Sequence, residues 1–190
     1  MQQLLEYRDF KRVAASSFVS DHEVIAEDSG VYLLLIRGGD ALLKAAGYYR
    51  LEHGAPWADD GWSHLYTGSS ALMQTRLKRH LLGDARVSTF RKTMLALEEQ
   101  CGALTATGVP FDSSVHPELA LDAWLEEQCQ IATCEVGYFF DEEAHFLARC
   151  PSPLNITGRR ADPFARRLMA LRSVRDGRRV AAHCQPFLFM

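Results

Sequence analysis

The sequence predicts an α+β fold: a small, mostly antiparallel sheet of three strands flanked by helices, with a helical extension at either end. Three observations lead there. The runs 30–37, 62–68 and 131–140 are rich in β-branched and aromatic residues and are bounded by turn formers. Segments between and after them space their apolar residues as helices do. In order, the elements run β, β, α, α, α, β, α, which suits a sheet with helices packed around it.

Each element has its own justification. Residues 4–19 read as a short amphipathic helix. Residues 30–37, GVYLLLIR, are apolar on both faces, as a central strand must be. A helical turn is expected over 40–49 and a loop over 52–61, where Gly54, Pro56 and Gly61 interrupt any regular pattern. The second strand, 62–68, should run antiparallel to the first. Ser69 or Ser70 is placed to cap a helix running to Leu82, and Ser88 to cap a helix over 89–101. After a loop over 102–117 comes a helix over 118–130 with Leu119, Leu121, Trp124 and Leu125 apolar. The third strand follows, then a short helix over 142–149 capped by Asp141 and stopped by Pro151 and Pro153. An Arg-rich helix over 163–174 comes last.

Composition narrows the class. With 190 residues, 47% hydrophobic and 24% charged, the chain has the make-up of an ordinary globular protein of one domain. No apolar run approaches the ~20 residues that span a bilayer, so no membrane partner is expected. The N-terminus, MQQLLEYRDFKR, lacks the apolar region of a secretory signal. Five cysteines form no CxxC pair, which points to reduced thiols and a cytoplasmic location. The net charge of -3 conceals a strong polarity: residues 93–148 contain no Lys or Arg, while cations crowd into 76–92 and 149–179. Such clusters are either solvated helix faces or a surface for a polyanion such as nucleic acid.

The densest cluster follows a glycine turn, in HLYTGSSALMQTRLKRH (64–80). Met73, Leu77 and Leu81 recur every four residues and should face the core. Arg76 and His80 are also four apart, about 100° around from Leu77, so they border the buried stripe. That placement suits residues lining a cleft, and equally a helix whose cations snorkel to solvent.

Taken together, Gly30-Val31-Tyr32, Tyr66-Thr67-Gly68, Arg76, His80, Glu143 and Asn155, in that order, resemble the GIY-YIG endonuclease superfamily. The resemblance covers about residues 28–158. It leaves 1–27 as an N-terminal helical extension and 159–190 as an Arg-rich C-terminal helical extension packed on the same domain. Thr67 stands where the pattern has Ile or Val, and an insertion over 38–61 separates the first two strands.

The resemblance implies a catalytic set that converges on one open cleft. Tyr32 would be the general base, Tyr66 would position water or phosphate, and Arg76 would fork onto phosphate oxygens. His80 would orient water or protonate the leaving oxygen. Glu143 would be the sole protein ligand of one Mg²⁺ or Mn²⁺ ion, which suits a cation that keeps most of its waters. Gly30, Gly68 and Asn155 would serve as structural support. The expected substrate is nucleic acid, DNA in preference to RNA, with Lys78, Arg79, Arg91, Arg159, Arg160, Arg166 and Arg167 as further phosphate contacts. Cutting both strands with one site would need a homodimer or two successive nicks. The alternative is a non-catalytic nucleic-acid-binding module of the same fold.

Other chemistries find little support. Cys129, Cys134 and His145 match no standard zinc spacing. Cys150 and His183 lack the surroundings of a thiol hydrolase, and no P-loop or GxGxxG motif is present.

Overall fold

The computed structural model describes residues 5–48, 58–59, 61–157 and 159–177. Five strands form one antiparallel sheet: β1 (Lys11–Ala14), β2 (Gly30–Arg37), β3 (Ala58–Asp59), β4 (Trp62–Ser70) and β5 (Cys129–Glu135). Their order across the sheet is β1-β5-β2-β4-β3. The three expected strands are its centre, and β1 and the two-residue β3 are additions at the edges. Around the sheet lie α1 (Ala15–Ser20), α2 (Gly39–Ala45), α3 (Met73–Leu81), α4 (Thr89–Cys101), α5 (Pro117–Gln128), α6 (Phe139–Arg149) and α7 (Pro163–Arg175).

β2 is central because both its faces are apolar. Every residue from Gly30 to Ile36 is buried. Tyr32, Leu34 and Ile36 face the larger core, against Met73, Leu77 and Leu81 of α3, Phe90 and Met94 of α4, Leu121 and Leu125 of α5, and Leu168 of α7. Val31, Leu33 and Leu35 face the other side, where Phe146 of α6 packs with Leu5, Phe10 and Trp62. The alternation follows from the two-residue period of a strand. α3 and α6 therefore lie on opposite faces of the sheet.

Several expectations are corrected. The N-terminal segment is not one helix: Lys11–Ala14 pairs with Thr133, Ala132, Ile131 and Gln130 of β5, and only Ala15–Ser20 is helical. Pairing there satisfies the backbone of an otherwise open sheet edge, a demand that local spacing does not report. Ser69 and Ser70 do not begin α3. They extend β4, paired with Val31 and Gly30, and the helix is capped from elsewhere. Met73 N donates to Asp28 O at 3.1 Å and Thr75 N donates to Glu27 Oε2 at 2.9 Å. β5 ends at Glu135 opposite Gly30, where β2 begins, rather than at residue 140. α6 consequently starts at Phe139, and Asp141 lies in its first turn. The expectation for α4 agrees with the structure, with Ser88 Oγ accepting from Arg91 N at 3.2 Å. α7 matches its expected span to within one residue.

Most of the expected loop over 52–61 lies outside the described residues. The insertion's ends are tied together, with Gly38 N donating to Gly61 O at 3.0 Å. Among the described residues, no helix is long and apolar enough to cross a membrane.

Asn155 completes the sheet where β3 does not reach. Its Oδ1 accepts from Thr67 N at 2.9 Å and its Nδ2 donates to Thr67 O at 2.8 Å, replacing the bonds of a neighbouring strand. The Thr67 hydroxyl, unusual for this position, is held by Ser152 Oγ at 2.6 Å and His64 Nε2 at 2.9 Å. Asn155→Ala leaves a buried backbone pair unsatisfied and should lower the unfolding free energy by about 2 kcal/mol in urea titrations. An unchanged midpoint would show that water takes over both bonds.

Candidate active site

The site is built on a cross-strand pair. Tyr32 and Gly68 face each other between β2 and β4, and the Tyr32 ring lies flat across the glycine. A β-carbon on Gly68 would collide with the Tyr32 hydroxyl and Cζ. Gly30 is equally constrained, since a β-carbon there would meet Cys134 O and lie 2.7 Å from Met73 Sδ. Both glycines are thus structural support through close approach.

Held over Gly68, the Tyr32 hydroxyl lies 2.7 Å from His80 Nε2 on α3. His80 Nδ1 lies 2.8 Å from Oγ of Ser88, the cap of α4. His80 is fully buried, against the expectation that it borders solvent. Its pKa is lowered to about 3, first by burial and then by Arg76, Arg91 and Arg79. A neutral imidazole has one donor and one acceptor nitrogen, and both ring nitrogens of His80 are engaged, one by Tyr32 and the other by Ser88. Burial likewise pushes the Tyr32 phenol well up, with Tyr66 adding to the rise and Arg76 opposing it.

Tyr66 packs against both partners, its ring centroid 5.4 Å from that of His80 and 6.4 Å from that of Tyr32. Burial raises its pKa too, against hydrogen bonds from Arg76 and Thr89. Arg76 is half-exposed, and its charge acts on both phenols, favouring their ionised forms. One guanidinium therefore faces the two motif tyrosines at the solvent boundary.

Glu143 approaches from the opposite face. Its Oε2 accepts from Ser69 Oγ, next to Gly68 on β4. Burial raises its pKa, while Ser69 and the charge of Arg76 lower it. Its charge is also felt by Tyr32 and Tyr66. The carboxylate feels the charge of the guanidinium although their helices lie on opposite faces. The structure thus brings together Tyr32, Tyr66, Arg76, His80 and Glu143. Ser69, Ser88 and Thr89 join them unforeseen; a hydroxyl pair just after the glycine and another at a helix start were the available signals.

The expected phosphate contacts fare less evenly. Arg79 is exposed and lines a shallow groove with Ser70, Ala71, Leu72, Thr75 and Arg76. Arg160 and Arg166 are exposed. Lys78 donates to Gln74 Oε1 at 2.9 Å. Arg159 bonds Ser152 O and Asp162, both at 2.8 Å, and Arg167 packs beside Cys101 and Gly47. Arg91 is corrected outright. It is fully buried, 2.8 Å from Glu118 Oε2 and 2.7 Å from Asp122 Oδ1, and donates to Leu81 O at 2.9 Å. Arg172 and Arg175 of α7 are turned onto α4, bonding Thr93 and Glu99. Arg178, Arg179, His183 and Cys184 lie outside the described residues.

A family model, the GIY-YIG catalytic domain, matches residues 30–174. The chain belongs to the GIY-YIG family. Beyond it, no curated protein and no solved structure matches the chain. The family match runs past the expected boundary at 158 to include nearly all of α7, which packs on α4. As a GIY-YIG domain the protein is of nuclease type. Among the described residues no group of three or more His, Cys, Asp or Glu could hold a metal ion, and none of Cys101, Cys129, Cys134 and Cys150 is in a disulfide.

Two tests follow. Arg91→Ala breaks a buried ion pair and should cost about 3 kcal/mol of stability, while leaving the salt dependence of nucleic-acid binding unchanged. A shallower salt slope would return Arg91 to the binding surface. The second concerns pH. His64, like His80, is fully buried with a pKa lowered to about 3 by burial. The unfolded chain takes up a proton at each histidine below about pH 6.5, and the folded chain does not until far lower. Their contribution is complete above that pH and lost as pH falls. Between about pH 7 and pH 5 each should remove roughly 2 kcal/mol. His64→Asn should shrink the measured fall by that amount, and an equal fall in variant and wild type would refute the buried neutral state.

Proposed function

We propose that the protein is an endonuclease that hydrolyses DNA phosphodiester bonds, with one Mg²⁺ or Mn²⁺ ion held by Glu143. The observation that supports it best is the Arg76 guanidinium set beside both motif phenols, with its charge also felt by Glu143. Family membership supplies the nuclease class.

The donor set fits such an ion. Glu143 offers a hard carboxylate oxygen without an all-protein cage, the arrangement that suits a cation retaining waters and binding phosphate. The Ser69 hydroxyl orients that carboxylate. When bound, the ion supplies Lewis-acid stabilisation of phosphate oxygens.

The chain's own residues supply positioning and proton handling. Arg76, the charged group nearest solvent, grips the scissile phosphate with its planar fork. Doing so draws it from the phenols and removes one of the charges that keep His80 neutral. The attacking water gives its proton to the Tyr32 oxygen while the Tyr32 proton passes to His80 Nε2. In this reading His80 Nδ1 carries the proton towards Ser88 Oγ, 2.8 Å away, which leaves Nε2 free to accept. Tyr32 thus serves as a base only with His80 behind it, because its buried phenol is a poor base alone.

A nicking assay on plasmid DNA in Mg²⁺, run beside a gel shift, tests the reading. EDTA should abolish wild-type cleavage. Glu143→Gln should lose cleavage and keep binding, because it removes the charge that holds the cation. Arg76→Ala should lose cleavage and weaken binding as well. Wild-type rates in Glu143→Gln would place the metal elsewhere. Metal-independent binding without cleavage by the wild type would favour the non-catalytic module.

A further inference from the structure

The two most exposed of the large apolar side chains among the described residues are Tyr138, at 76%, and Phe140, at 71%. Both open α6, whose next turn carries Glu143. Leu72, at 52%, stands just before α3, four residues ahead of Arg76. The sheet register brings these positions to one place. Gly30 pairs with Ser70 on one side and Glu135 on the other, so β2 begins where β4 and β5 end. α3 starts three residues after Ser70 and α6 four after Glu135. Their first turns flank that end of the sheet from opposite faces.

We propose that Leu72 on one side, and Tyr138 and Phe140 on the other, hold unstacked nucleobases flanking the scissile phosphate. The preferred substrate then has a single-stranded segment at the cut. This rests on the nuclease reading above and adds the substrate's form to it.

Three features carry the inference. Phe140 is pre-positioned: its ring lies 4.3 Å, centroid to centroid, from Phe139, which packs onto the core with Phe146. A fixed ring is a stacking platform, because little freedom is lost when a base covers it. On the other side, Leu72 shares its groove with Arg76, Arg79, Ser70 and Thr75. Apolar surface beside cations and hydroxyls matches a nucleotide, whose base and phosphate need those two surfaces side by side. Finally, Phe140 is three residues from Glu143 and so on the same side of α6, one turn nearer the mouth. Bases in an intact duplex are stacked inward and meet neither surface, whereas unstacked bases can lie on both.

Fluorescence anisotropy in EDTA, with a thymidine homopolymer and a blunt duplex as probes, tests this without cleavage. The wild type should bind the single strand more tightly than the duplex. The double variant Tyr138→Ala, Phe140→Ala should lose about tenfold in single-strand affinity, with duplex affinity changed by less than about twofold. Leu72→Ala should lose single-strand affinity in the same selective way, and Phe140→Trp should retain it. The salt slope should stay constant in these variants, because stacking releases no counterions. Equal losses on both probes, no loss, or a wild-type preference for duplex would overturn the proposal while metal-dependent nicking by the wild type upheld the nuclease reading. A wild type that neither nicks nor binds any nucleic acid would overturn both.

Discussion

The Tyr32 ring lying across Gly68 is the constraint on which the site depends. No larger residue fits opposite the ring, so the phenol is pressed between strand and helix with its hydroxyl aimed at His80. Burial then makes the electrostatics. It keeps Tyr32 protonated and His80 neutral, which is the pairing of donor and acceptor that a proton shuttle needs before substrate arrives. The two outer groups, Arg76 and Glu143, remain at the boundary with solvent. A buried relay behind an accessible charged pair is the division of labour in the mechanism proposed above.

How much of this was legible in the sequence depended on how local the signal was. β2 was legible because seven consecutive buried residues leave an unbroken apolar run. α4 was legible to the residue because a serine cap acts within three residues of itself. β1 was hidden, since its pairing partner lies more than a hundred residues away and its own pattern, mostly exposed, resembles a solvated helix. The cap of α3 was hidden for the same reason. Two serines stood where a cap belongs, but sheet pairing with Val31 and Gly30 claimed them, and Glu27 supplied the oxygen.

The candidate site was legible as a set of residues and only partly as a set of roles. Spacing put Arg76 and His80 on one face of the helix, at the border of its apolar stripe. It could not show that α4 would close over His80 and bury it, leaving Arg76 alone at the surface. Charge was misread in the same way. Arg91 resembles a surface cation in a basic stretch until Glu118 and Asp122, from a segment without cations, fold against it. The polarity of the chain is in part internal pairing: α7 turns Arg172 and Arg175 onto α4, and α4 and α5 hold Arg91 between them.

That pairing changes what the remaining exposed cations can do. Of the expected phosphate contacts, Arg79, Arg160 and Arg166 stay exposed. Each phosphate neutralised on duplex DNA contributes roughly -0.9 to the log-log salt slope, so these three alone would give a slope of roughly -2.7. A protein of net charge -3 cannot rely on its overall field to collect a polyanion. On the reading proposed above, affinity comes from contacts close to the reacting phosphate, with Arg76 the first of them, and from the exposed apolar side chains at the start of α3 and α6. Because stacking on a ring requires the base to leave its own stack, the proposed stacking surfaces would discriminate the physical form of the substrate and not its sequence.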